Sequence, residues 1–336
     1  MIAQADADAL RASHPAVVTA GSYIMDVLGR PVSELPVGQV TLMLDEIRPT
    51  VAGTAGGTAV DLAHLGARVV ALGAIGDDLA GDFVVHALEA QGVDAARLGR
   101  KGGVQTSCTM LPIHPDGSRP AWHVRGANAT FAIDDVDWGA VEGAAAVHVG
   151  GLTALPALDG EPAGRLLHLA RAYGALTTAD FLGARGEDVP SLLAPVLPHV
   201  DIFMPNEAEA RAVANDPDCV TAARRLRDLG ARCVIIKRGP DGCLIVDDDG
   251  ERTLPAHDAP VVDTTGCGDA FCAGVIVARL AGWSIDDAAR LGCATGALNL
   301  RGLGSDAGAA SVDEALAFLR DAPRRSAPSV QLSEAG

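Results

Sequence analysis

The chain has 336 residues, 49% of them hydrophobic and 21% charged, with a formal net charge of −17. That balance supports a large core and argues against disorder, and so acidic a surface argues against nucleic acid or an anionic membrane as a partner. Seven cysteines without a CxxC pair, and an acidic start without a long apolar core, predict reduced thiols in a cytoplasmic protein with no signal peptide and no membrane span.

In chain order, Ala16 to Ala20 is an apolar run that reads as a first strand, entering a loop at Gly21-Ser22. Asp26 lies just beyond it. Ligands of an open parallel sheet bind outside the carboxyl ends of its strands, so Asp26 is a candidate ligand group. Residues 30–52 alternate apolar and polar, as in Gln39-Val40-Thr41-Leu42-Met43-Leu44. Residues 104–126 do the same, with a Pro115-Asp116-Gly117 turn signal in their middle. Within each stretch the strand period runs without an intervening helix, and together they predict a small antiparallel sheet projecting as a lid. Between them, the glycines 53, 56 and 57 lead into a small-residue helix that carries Asp61. A strand from Arg68 to Leu72, a Gly76-Asp77-Asp78 segment and a helix ending near Gln91 follow.

From about residue 140 strands and helices alternate. Strands are predicted at 145–149, 175–181, 202–204, 233–237 and 244–246. Helices are predicted near 161–173, 207–214, 219–229, 269–281, 286–299 and 312–320. This alternation predicts a three-layer α/β core over 15–320, with a mainly parallel central sheet and helices on both faces. Residues 321–336, with prolines and serines, read as a loose tail.

The stretch Asp263-Thr264-Thr265-Gly266-Cys267-Gly268-Asp269-Ala270-Phe271 organises the rest. Glycines 266 and 268 permit a tight turn whose N–H groups converge, and the helix that follows presents its positive end there. Turn and helix start together suit a phosphate. Asp269, inside that turn, is placed to take a proton from a hydroxyl that attacks the phosphate. An ordinary helix cap would explain one of these residues and leave the others idle. Cys267 lies where a helix N-terminus favours a thiolate. Asn206 and Glu209, three apart on one face of a helix start, fit a capping box. Lys237 ends a strand before Gly239 and Gly242, where a lysine can neutralise phosphate. No Gly-Lys dipeptide exists, so a Walker A loop is excluded, and HExxH, GxSxG and zinc-type cysteine spacings are missing.

At the Asp263–Phe271 stretch the sequence resembles the ribokinase-like (PfkB) carbohydrate kinases. The Gly56-Gly57 pair followed four residues later by Asp61 is similar to that family's N-terminal signature, which has asparagine at that last place. The resemblance implies a ribokinase-like, Rossmann-like fold with a β lid, and ATP-dependent phosphorylation of a hydroxyl on a sugar. It implies that Asp269 is the base and that the Gly266, Cys267 and Gly268 N–H groups stabilise the transferred phosphate. ATP would be bound by Asn206, Glu209, Lys237, Gly239, Gly242, Thr265 and Asn299, with Mg2+ steered through water by Glu209. A monovalent cation, K+, would sit by Asp263. The acceptor would be held by Asp26, Gly56, Gly57, Asp61 and Arg125. A nucleoside kinase is the alternative within enzymes, and a non-catalytic sugar or nucleotide sensor is a third reading. The lid's strand edges suggest a homodimer. Because an ionised aspartate at 61 only accepts hydrogen bonds, three carboxylates would face the acceptor, and a neutral acceptor is expected.

Overall fold

The structure, a computed structural model, describes residues 4–34, 36–115, 119–183 and 189–323. The N-terminal part runs α1 (Gln4–Ala12), β1 (Ala16–Gly21), β2 (Ile24–Arg30), β3 (Glu46–Ala52), α2 (Thr54–His64), β4 (Arg68–Gly76), α3 (Leu79–Ala90), β5 (Leu98–Lys101), β6 (Cys108–Pro112) and β7 (Trp122–Val124). The middle runs α4 (Trp138–Glu142), β8 (Ala146–Leu152), α5 (Glu161–Ala172), β9 (Leu176–Phe181), α6 (Val189–Leu193), β10 (Ile202–Phe203), α7 (Glu207–Ala214), α8 (Cys219–Asp228) and β11 (Cys233–Lys237). The remainder is β12 (Cys243–Asp247), β13 (Gly250–Leu254), α9 (Cys267–Leu280), α10 (Ile285–Asn299) and α11 (Val312–Asp321).

Nine strands make one sheet in the order β13-β12-β11-β10-β9-β8-β1-β4-β5, parallel from β11 to β5 and antiparallel at β12 and β13. Its central strands are rich in Val, Ile and Ala and buried on both faces, as a parallel sheet covered by helices requires. One core lies under α2, α9, α10 and α11, and a second under α5, α7 and α8 on the opposite face. Small residues let the helices of the first layer approach closely. A Cβ on Gly274 of α9 would lie 2.5 Å from Thr295 Oγ1 of α10. The expected three-layer core is present.

The lid is a four-stranded sheet, β3-β2-β6-β7, with its own apolar centre of Leu28, Leu111, Ile113 and Leu303. It differs from expectation in three ways. It is mixed rather than antiparallel, because β2 and β6 run parallel. The Gln39–Leu44 alternation forms no strand: it found no partner edge, and Val40 and Met43 stand exposed. The strand that the sequence left as a loop is β2, so Asp26 does not lie in a loop beyond β1. It sits in the middle of the lid, paired with Thr50 and Thr109. Asp116 and Gly117 of the predicted turn, and nearly all of the 321–336 tail, lie outside the described residues.

Helix α1, β5 and β13 carry weak sequence signals. Leu10 is the only buried residue of α1, though Trp283 Nε1 ties it down with a 2.8 Å bond to the Asp6 carbonyl. Both strands are short sheet edges with polar residues.

Candidate active site

A cavity of about 1020 Å³ opens at the carboxyl ends of the parallel strands, walled by core and lid together. Its middle holds Asp180, Asn206, Glu209, Lys237 and the Gly266–Asp269 turn. Toward the lid stand Asp26, Thr109, Arg119, His123 and Arg125. The other end is bounded by Gly239, Gly242, His257, Cys293 and Ala297.

Gly266 makes the turn. Its φ is +78°, and a Cβ there would lie 2.6 Å from Ser305 Cα, so glycine is required on both counts. Its carbonyl accepts from the N–H groups of Asp269 (3.0 Å) and Ala270 (2.9 Å), which starts α9. The N–H of Cys267 makes a long 3.5 Å bond to the Thr264 carbonyl. Those of Gly266 and Gly268 have no hydrogen-bond partner among the described residues, so they are the donors open to an anion. Behind the turn, Asp263 Oδ1 accepts from Thr265 N (3.0 Å) and Thr265 Oγ1 (2.8 Å), and Oδ2 accepts from Gly304 N (2.9 Å).

Asp269 leans over α2. A Cβ on Gly57 would come within 2.3 Å of Asp269 Oδ2, so this glycine is the floor on which the carboxylate rests. Burial, followed by the charge of Asp180, holds the Asp269 carboxyl well above the usual range, while Lys237 pulls it down. Lys237 Nζ lies 4.0 Å from Asp180 Oδ2 and 3.6 Å from Cys272 Sγ. Burial works against the lysine's charge, but Cys272 and the carboxylates of Asp180, Glu209 and Asp269 outweigh it and raise its pKa.

Asn206 and Glu209 form the reciprocal capping box: Glu209 N donates to Asn206 Oδ1 (2.9 Å) and Asn206 N to Glu209 Oε2 (2.8 Å). Both also line the cavity, so capping and ligand placement coexist. Burial raises the Glu209 pKa against the pull of Lys237.

Asp180, at the end of β9, was missed by the sequence reading. Its Oδ1 accepts from Gly151 N (2.8 Å), while Oδ2 is buried without a hydrogen-bond partner. An acid at the carboxyl end of a predicted strand was the available signal. Its orphaned oxygen beside the buried Glu209 leaves the middle of the cavity short of positive charge, and a magnesium ion that accompanies a nucleotide fits that deficit. Among the described residues no cluster of three His, Cys, Asp or Glu could ligate a metal directly, so the fit is to a hydrated ion.

On the acceptor side, burial raises the pKa of Asp26 to about 6, opposed by the Thr109 hydroxyl and Arg119. Arg125 lines the cavity, and so does Arg119, which the sequence reading also missed. Gly56, Gly57 and Asp61 do not line it: Gly56 N bonds the Ser22 carbonyl (3.2 Å), and Asp61 is buried in α2 with Oδ2 unpartnered. Asn299 is also set back. It is fully buried, and its Nδ2 holds the Thr265 carbonyl at 2.7 Å from behind the turn. Gly239, Gly242, Thr265 and Lys237 all face the cavity. Burial pushes the Cys267 thiol up to about 12, so the helix N-terminus does not produce a thiolate there.

Burial, then the charges of Asp269 and Asp306, raise the Asp61 pKa well above the usual carboxylate range. Between the ordinary pKa of the unfolded chain and this raised value, the native state binds the extra proton, so stability falls as pH rises. Asp61→Asn is therefore expected to raise Tm, by little near pH 4 and by several degrees near pH 8. A melting difference that does not grow with pH would contradict a buried, protonated Asp61.

The model of the pfkB family carbohydrate kinases matches residues 15–311. An ATP-dependent ribose-1-phosphate kinase of Halopiger xanaduensis is 28% identical over 308 residues, 91% of this chain and 98% of its own. A 5-dehydro-2-deoxygluconokinase of Clostridium perfringens is 27% identical over 259 residues, 73% of this chain and 77% of its own. The solved ribokinase of Arabidopsis thaliana, complexed with ribose and ATP, superposes with a TM-score of 0.77 over 92% of this chain and 99% of its own, at 23% identity. That last likeness establishes the ribokinase fold, and the family match over nearly the whole chain carries the assignment: the protein belongs to the pfkB family of carbohydrate kinases.

Proposed function

We propose that the protein transfers the γ-phosphoryl group of ATP to a hydroxyl of a neutral sugar, as a ribokinase- or fructokinase-like enzyme. The observation that carries this reading is the Asp269 carboxylate held in the Gly266 turn at the middle of the cavity, with acceptor space on the lid side. Asp269 takes the proton of the attacking hydroxyl. The Gly266 and Gly268 N–H groups, with Cys267 in a lesser share, receive the charge that builds on the phosphoryl oxygens. Lys237 neutralises phosphate charge, Gly239 and Gly242 let the nucleotide approach the backbone, and Thr265 borders it. Magnesium would be held through water by Glu209, with Asn206 beside it and Asp180 facing the same space. It would screen the phosphates from these acids. Asp26 holds the acceptor's hydroxyls. Gly57 and Asp61 support this side from beneath, and the lid excludes water that would compete as nucleophile.

Asp26 and Asp269 favour a neutral acceptor rich in donors, although Asp61, buried and set back in α2, does not add the third carboxylate expected from the sequence. A specific observation favours a second reading, an acceptor with a phosphate or carboxylate: Arg125 lines the cavity with no ion-pair partner among the described residues. Two of the relatives above are named for acceptors of that kind. Purified protein with ATP and magnesium should be offered ribose, fructose, adenosine, a hexose phosphate and a keto-sugar acid. The expected order in kcat/KM places a neutral sugar first. Preference for either anion over every neutral acceptor would overturn it, and preference for adenosine would select the nucleoside kinase.

A cytoplasmic location is part of the same proposal. It is supported by seven cysteines that are all free thiols. Among the described residues no helix is long and apolar enough to cross a membrane. A homodimer through the lid is proposed from the exposed apolar residues Ile47, Met110, Trp122 and Val124 on its strands. Sedimentation of the wild type as a dimer, and of Trp122→Glu as a monomer, is expected. A monomeric wild type at tens of micromolar would end that proposal.

A further inference from the structure

Among the described residues, two sets of side-chain ties run from the lid to the segments that flank the anion turn. From β3, Thr50 Oγ1 donates to Asp306 Oδ1 at 2.6 Å, and Arg48 Nη2 reaches the same oxygen at 3.0 Å. Arg48 Nη1 donates to the Leu303 carbonyl. From the connection between β6 and β7, Arg119 Nη2 donates to Thr264 Oγ1 at 3.2 Å, and its Nε lies 3.6 Å from Asp263 Oδ1. On the core side these contacts converge on one unit. Asp263 joins Thr265 to Gly304, and Asn299 fastens Thr265 from behind. Two acids, with side chains 1% and 10% exposed, are thus gathered behind the phosphate turn and faced by two guanidinium groups.

The family resemblance places a monovalent cation beside Asp263. Among the described side-chain oxygens of this unit only Asn299 Oδ1 is buried without a hydrogen-bond partner, and a single free oxygen does not make a seat for a cation. Both Asp263 oxygens already accept from protein N–H and O–H groups. The Leu303 carbonyl is taken by Arg48. A cation entering this seat would also meet two positive side chains at close range. Arginine suits the role, because it stays charged at any working pH and its planar fork satisfies a carbonyl and a carboxylate together.

We propose that Arg48 and Arg119 supply the positive charge of this seat, so that the phosphate turn is set by contact with the lid and needs no monovalent cation. Neither arginine touches Asp269, and both are positioning residues. The effect on turnover rests on the sugar-kinase reading, whereas the occupancy of the seat does not.

The test compares potassium chloride with tetramethylammonium chloride at equal ionic strength, on the wild type, Arg48→Gln and Arg119→Gln. Thermal melting and steady-state kinetics are both read. The wild type is expected to melt at the same temperature in the two salts and to turn over at rates within about twofold of each other. Each variant is expected to lose roughly tenfold in kcat, the equivalent of one charge-assisted hydrogen bond, with a smaller change in the KM for ATP. Arg48→Gln should also gain a potassium-specific rise in both melting temperature and kcat, because it frees the Leu303 carbonyl and one contact of Asp306 for the ion, whereas Asp263 stays occupied by Thr265 and Gly304 in either variant. A wild type that melts higher in potassium, or is activated by it more than about fivefold, overturns the proposal, as do variants that keep wild-type kcat in both salts. If no acceptor is phosphorylated, the function proposed above fails while the melting comparison still decides who fills the seat.

Discussion

Asp269→Asn is expected to keep the fold and most of the affinity for ATP while lowering kcat by roughly 10²–10⁴, the usual share of a general base. The amide has the carboxylate's shape, so it still fits over Gly57, where a Cβ would come within 2.3 Å of Oδ2. What it loses is the ability to take a proton. Stability should move the other way. Burial and Asp180 hold this carboxyl's native pKa above its unfolded value, so its ionisation weakens the fold as pH rises toward that raised value. The amide removes the penalty, and the variant's Tm should match or exceed the wild type's near pH 8, with less difference near pH 4. Opposite signs in kcat and Tm separate loss of the base from misfolding. A variant that turned over at nearly the wild-type rate on the best acceptor would mean that another group takes the proton.

The sequence made the middle of this site legible for a physical reason. Gly266 must adopt a positive φ against Ser305, and Asp269 must follow three residues later at the helix start, so local geometry fixes both residue types and spacing. Asn206 and Glu209 were legible for the same reason, since a capping box is a local object. Asp180, Arg119 and Arg48 were not, because their roles exist only across chain separations. Asp180 meets Lys237 from a neighbouring part of the sheet, and Arg48 meets Asp306 across 258 residues. The lid misled most. The alternation of Gln39–Leu44 has strand period but no partner edge, while β2, whose strand pairs Asp26 with Thr50 and Thr109, reads as a loop after β1. Asn299 follows the family's pattern in sequence and Asp61 stands where the family has asparagine, yet both are buried behind the surface that a ligand meets.

Lys237→Met carries the second large effect. This is one of only two lysines in the chain, and it stands among Asp180, Glu209 and Asp269. Methionine fills the stem's volume and removes the charge. Lys237 lowers the pKa of both Asp269 and Glu209, so its loss raises them further. At neutral pH a larger share of Asp269 then holds a proton, and the acid limb of the kcat/KM profile should move to higher pH. On the proposed reading, the phosphates lose a partner as well. A charged hydrogen bond contributes about 1.5–3 kcal/mol net, which corresponds to roughly 10- to 150-fold in kcat/KM for ATP at the pH optimum. Stability follows from the same acids. With their native pKa values raised above the unfolded ones, the variant should lose more Tm at pH 8 than at pH 5, because ionising them in the native state has become harder. Lys237→Arg is not expected to rescue the enzyme, since the lysine Nζ already lies 3.2 Å from where a Cβ on Gly268 would stand, and a guanidinium needs more room. An acid limb that stayed in place in Lys237→Met, with the loss confined to the KM for ATP, would show that the lysine serves the phosphates alone and does not tune the base.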